Sequence, residues 1–136
     1  MEDFDNVVDF AKYRLEKAKD TLKTAEILLD EVKDYSGANN RAYYAIFYAI
    51  RAVLAIEKVD FKRHKDVVAY FNKNYISTEI FPKIIGKKIA QAKQIREDCD
   101  YDDNYVPSYD KTKIQVETAR ELIRLVDKYL QDKWNN

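Results

Sequence analysis

The sequence predicts an all-α fold, an antiparallel bundle of four to five helices. Three observations carry that expectation. Apolar residues recur at alternating steps of four and three from Phe4 to Val32. Glycine and proline, the residues that punctuate a chain, occur only twice each. No stretch alternates apolar and polar residues with the period of a strand.

Phe4, Val8, Ala11, Leu15, Ala18, Leu22, Ala25, Leu29 and Val32 draw one stripe along a long first helix, with charges on the remaining faces. Such a stripe suits a bundle helix or a coiled coil. Alanines at alternate positions favour close packing on a bulky neighbour, and so the bundle. The helix is expected to end near Tyr35-Ser36-Gly37. A second helix is expected over 39–58. From Ala42 to Ile56 every residue is apolar, tyrosine included, except Arg51. A helix that is apolar all round is either central in the bundle or lends one face to a partner subunit. A third helix is expected over 62–75, opened by Arg63, His64 and Lys65. A fourth starts near Ser77 or Pro82 and runs to Cys99, with Phe81, Ile85, Ile89 and Ala92 as its stripe and Ile84, Lys88 and Ile95 alongside. The acidic, tyrosine-rich segment DCDYDDNYVPSYD reads as a loop. Ser108 then caps a last helix that carries Ile114, Leu122, Leu125, Val126, Tyr129 and Leu130.

With 136 residues, 1–136 is expected to form one domain. Twenty-four basic and 24 acidic residues cancel, so no global basic field draws in nucleic acid; any such binding is local or made by an oligomer. One cysteine, Cys99, excludes an internal disulfide framework and fits a reducing cytoplasm. The opening MEDFDNVVDF lacks the apolar core of a secretory signal, and the apolar run at 42–56 is too short for a membrane span. A single His and a single Cys make a zinc site an unfavourable reading, and two isolated glycines cannot build a phosphate loop, so no metal or cofactor is expected.

Residues able to carry chemistry are then few. Arg41 stands at the entry of the apolar helix, on a face with Ala45, Tyr48 and Ala52, where a half-buried guanidinium wants an acid or an anion. Arg96 continues the stripe of the fourth helix by one more step of four, near a helix end whose dipole favours a cation. His64, inside the basic run Arg63-His64-Lys65, is the one side chain whose ordinary pKa lies near neutrality. Asp98, Asp100, Asp102 and Asp103 surround Tyr101 without the spacing of a calcium loop, and read as solvated acids that pair with Arg96 or Lys93. Eleven tyrosines suit core edges, interfaces and stacking.

The blocks NRAYYAIFYAIRAVL, KRHKDVVAYFNKNYI and IREDCDYDD, followed by an amphipathic helix, resemble the small bacterial HEPN-domain proteins from about Val7 to Leu130. The resemblance implies an all-helical bundle that pairs into a homodimer. It implies a toxin or phage-defence role, in many members as a metal-independent ribonuclease, and a nucleotidyltransferase partner that acts as antitoxin; in some members the partner adenylates a tyrosine near the motif. The active site of such proteins is an Arg-x4–6-His motif at the end of the penultimate helix. Arg96 falls at the motif arginine. Tyr101, Asp102 and Asp103 stand where the histidine belongs, so the motif is degenerate.

Three readings follow. The first is a HEPN-like homodimer of a toxin–antitoxin or defence system that works with a nucleotidyltransferase, with weak or no catalysis of its own. The second is a metal-independent endoribonuclease toxin that uses Arg96 with Tyr101 or His64. The third is a nucleotide or RNA binding module without chemistry, in which Arg41, Tyr44, Arg63 and Lys65 supply charge and stacking.

Overall fold

The computed structural model describes residues 2–135, and their side chains from residue 7 onward; Phe4, the first member of the predicted stripe, lies outside the described side chains. The chain forms α1 (Glu2–Ile27), α2 (Tyr35–Ile56), α3 (His64–Phe71), α4 (Lys83–Tyr101) and α5 (Tyr109–Trp134), with no strand among the described residues. Wider π turns extend α1 over Leu28–Val32 and α3 over Asn72–Ile76.

The apolar helix is central. α2 packs against each of the other four helices. Its residues Ala42, Ala45, Ala49, Ile50, Ala52 and Val53 are fully enclosed. The alanine stripe of α1 does what its spacing predicts: Ala11, Ala18 and Ala25 are fully buried, which brings the two backbones close. Helix directions follow from paired residues. Glu26 with Arg120, Lys19 with Asp127 and Lys12 with Trp134 run in opposite order, so α5 is antiparallel to α1. Tyr35 with Tyr109 and Asn39 with Thr112 run in the same order, so α5 is parallel to α2.

Two boundaries differ from expectation, for local reasons. Gly37 does not break the first helix. Lys33 ends it, in the left-handed conformation at φ 62°. The Asp34 carboxylate then accepts from the Gly37 amide, which starts α2 at Tyr35, four residues earlier than expected. α4 continues through Tyr101, so the first four residues of the predicted acidic loop are helical; Phe81 precedes α4, and its ring is buried beside Phe71 and Tyr129. Ser108 caps α5 by accepting from the Lys111 amide at 3.1 Å. Ile84 and Ile114, counted on the packing stripes, are about half exposed.

The connection from α2 to α3 shapes the functional face. Residues 57–63 double back along α2: Asp60 meets Arg51, and His64 lands on Phe47 and Tyr44. The first residue of α3 therefore sits beside the middle of α2, not beside its end.

Candidate functional site

Tyr44 is where the separate signals meet. The face of α2 that escapes full burial carries Arg41, Tyr44, Tyr48 and Arg51, at steps of three, four and three. The expected face, Arg41 with Ala45, Tyr48 and Ala52, is one position off, because Ala45 and Ala52 are fully buried. Arg41 lies over the Tyr44 ring at 5.1 Å and donates to Asn40 Oδ1. From α4, Arg96 Nη2 donates to the Tyr44 hydroxyl at 3.2 Å. The Arg96 guanidinium also lies 4.9 Å from the Tyr43 ring centre and 5.3 Å from that of Tyr44. From α3, the His64 ring packs on Phe47 at 4.1 Å and meets Tyr44 edge-on at 5.9 Å.

So Arg41, Tyr44, His64 and Arg96 share one face. Arg63, Lys65 and Tyr101 do not join it. Arg63 pairs with Asp66 at 3.0 Å, Lys65 is exposed, and Tyr101 is 90% exposed at the end of α4. Tyr101 stands five residues after Arg96. At about 100° per residue that rotates it roughly 140° round the helix from the arginine. Asp100, at i+4, is the residue that returns to the arginine's face, 3.8 Å from Nη2.

Electrostatics on this face favour an anion. The Arg96 side chain is 24% exposed, and its Nε is buried without an acceptor, so the guanidinium is fixed by rings and not saturated by acids. Burial, with the charges of Arg96 and then Arg51 added, holds the His64 imidazole below its ordinary value. A neutral imidazole at physiological pH can accept a proton. A planar arginine beside it can hold two oxygens of a phosphate. No group of three or more His, Cys, Asp or Glu suited to a metal ion occurs among the described residues, and no helix there is long and apolar enough to cross a membrane.

Sequence reasoning missed Arg51, Phe47 and Asp60. Arg51 donates to Asp60 Oδ2 at 2.7 Å and lies over Phe47 at 5.8 Å. Arg14 from α1 donates to the same carboxylate oxygen at 3.3 Å. Burial raises the Asp60 carboxyl, but the hydrogen bonds from Arg51 and the Phe61 amide, with the charges of Arg51 and Arg14, outweigh it and hold it below the usual carboxylate range. The signal for Arg51 was present as the single polar break in the apolar run.

The chain is similar to known proteins over most of its length. A sequence model described as the HEPN domain matches residues 11–129. A "UPF0332 protein" of Thermotoga maritima is 28% identical over 121 residues, covering 89% of this chain and 91% of the relative. A Methanocaldococcus jannaschii protein named "Putative toxin MJ0142" is 27% identical over 119 residues, covering 88% of this chain and 80% of the relative. Another from the same organism, named "Putative toxin MJ0605", is 32% identical over 87 residues, 64% of each chain.

Proposed function

The chain belongs to the HEPN domain family, and from that premise we propose that it is the toxin component of a two-part system, a homodimer that cuts RNA at the Tyr44 cluster without a metal. A nucleotidyltransferase antitoxin is the partner that the family resemblance implies. Relatives named as toxins support the biological setting. One observation carries the chemistry: His64 and Arg96, from different helices, both pack on Tyr44. With the motif histidine missing, the enzyme reading depended on Tyr101 or His64; the packing of His64 on Tyr44 supports His64, and this moves the preference from a partner-binding protein to an enzyme.

In this reading Arg96 binds the non-bridging oxygens of the scissile phosphate, and Arg41, also over the Tyr44 ring, adds charge. Neutral His64 takes the proton of the ribose 2′-hydroxyl. The 2′-oxygen attacks phosphorus, the P–O2′ bond forms and the P–O5′ bond breaks. The departing 5′-oxygen takes a proton from water. The products are a 2′,3′-cyclic phosphate and a 5′-hydroxyl end. Aromatic neighbours hold both side chains without competing acids, apart from Asp100.

Asp100 favours a second reading. A carboxylate 3.8 Å from Arg96 Nη2 repels phosphate, which suits a partner-binding protein without chemistry. The test is cleavage of total RNA and tRNA in EDTA by the native protein, Arg96→Ala and His64→Ala. The proposal expects cleavage that falls at least about a hundredfold in each variant. Equal cleavage by Arg96→Ala contradicts it, and no cleavage by the native protein returns the preference to the partner-binding reading.

A further inference from the structure

We infer that the cavity between Phe47 and Phe61 is a nucleobase pocket, which takes the base of a nucleotide whose phosphate lies at Arg96. The inference rests on the RNA reading of the Tyr44 cluster and adds what that cluster alone does not specify: where a base goes. Residues 57–63 fold back along α2 and leave a cavity of about 390 Å³ lined by Phe47, Arg51, Asp60, Phe61, Lys62 and His64. That volume falls within the roughly 300–1,000 Å³ of small-ligand sites.

The lining selects the class of ligand. Phe61 and His64 present rings, with His64 itself packed on the buried Phe47, Arg51 and Lys62 present cations, and the one carboxylate is already held by Arg14 and Arg51. A flat, π-faced group with a nearby negative charge matches these walls; an aliphatic or cationic ligand does not. Phe61 is held beside the cavity by its loop. Its amide is pinned by donation to Asp60 Oδ1 at 2.9 Å, and its ring meets only Tyr70 among the aromatic side chains described, at 5.7 Å. Phe61 stays 39% exposed beside the cavity, which leaves surface for a ligand.

Position ties the pocket to the cluster. His64 lines the cavity and also touches Tyr44, which holds Arg96. A base in the cavity would therefore adjoin the same imidazole that packs on Tyr44, the residue that holds Arg96.

Fluorescence anisotropy with a labelled short 2′-O-methyl RNA, which lacks the attacking hydroxyl, tests this. The same strand with abasic sugars is the control, and AMP is the competitor. Phe61→Ala should weaken the intact strand about tenfold, the scale of one lost base–aromatic stack, and leave the abasic strand unchanged. Phe61→Trp should keep the affinity and report binding through quenched fluorescence, which shows that the loop still folds. Arg96→Ala should weaken both strands. A Phe61→Ala that binds the intact strand normally, or weakens both strands alike, overturns the pocket. An Arg96→Ala without effect on either strand overturns the phosphate reading, while the base-dependent loss at Phe61 stands. Phe61-dependent binding of AMP in place of the strand supports the pocket and assigns it to free nucleotide. Binding of neither overturns it.

Discussion

Arg96 of α4 donates to the hydroxyl of Tyr44 of α2 at 3.2 Å, across 52 positions of chain. The same tyrosine ring carries Arg41 on α2 and the edge of His64 on α3. Three helices thus deliver two guanidinium groups and an imidazole to one phenol, on a protein whose net charge is zero.

The hydroxyl and the ring of Tyr44 have separable roles. Tyr44→Phe should keep the fold and the stacking and lose only the acceptor that orients Arg96. The expected loss is about 0.5–1.5 kcal/mol in kcat/KM, or roughly two- to tenfold. Tyr44→Ala should cost more than Tyr44→Phe, since Arg41 loses its platform and Arg96 keeps only the Tyr43 ring. Steady-state cleavage of one labelled RNA measures both, and an unchanged Tyr44→Phe counts against the hydrogen bond as an orienting element.

The pH profile should report the lowered pKa of His64. On the proposed mechanism cleavage needs the neutral imidazole, so the rate should rise through a midpoint below 6.5 and be flat at neutral pH. The Arg51 charge contributes to the lowering, so Arg51→Gln should move the midpoint upward. The linked stability has a fixed sign. A lowered histidine pKa contributes stability that is present above the unfolded value near 6.5 and is lost as pH falls through the folded value. A midpoint that stays put in Arg51→Gln contradicts this electrostatic account.

Asp60 should act as the clasp of the returning loop. Asp60→Asn removes the charged partner of both Arg14 and Arg51, at a partly exposed site, and should cost about 1 kcal/mol by urea unfolding at neutral pH. Because its folded pKa is lowered, that contribution is present above the usual carboxylate value near 4 and is lost as pH falls below it. The gap between native protein and variant should therefore close in acid; a gap that persists assigns the effect to packing.

Burial should decide the cost of equal truncations. Ile50→Ala, at the enclosed centre of α2, should lose about 2–5 kcal/mol. Ile84→Ala, about half exposed on α4, should stay within about 0.5 kcal/mol. Ser108→Ala should cost about 1 kcal/mol, because the Lys111 amide loses its cap. Urea midpoints order the three, and a costly Ile84→Ala would place that residue in an interface.

Local patterns were legible in the sequence. The centrality of α2 followed from a run broken only by Arg51, and Ile85, Ile89 and Ala92 marked the buried side of α4 with Arg96 one turn on. Two things were not legible. Gly37 looked like a stop, because nothing local distinguishes a breaker from a first-turn glycine until the Asp34 cap is seen. The return of 57–63 depends on contacts from Asp60 to Arg51 and from His64 to Phe47, which no periodicity encodes. For the same reason Tyr101 was placed in the site by counting along the motif, whereas helical rotation sends it into solvent.

The most direct test of the Tyr44 cluster uses the chain's single histidine, whose imidazole gives one titration to follow without overlap from another. Its NMR titration would be recorded with and without a short 2′-O-methyl RNA, in the native protein and in Arg96→Ala. A phosphate held at Arg96 lies close enough to favour the charged imidazole, so the account predicts that RNA raises the His64 midpoint in the native protein and not in the variant. A midpoint that RNA leaves unchanged in the native protein would contradict the claim that Arg96 and His64 form one phosphate site.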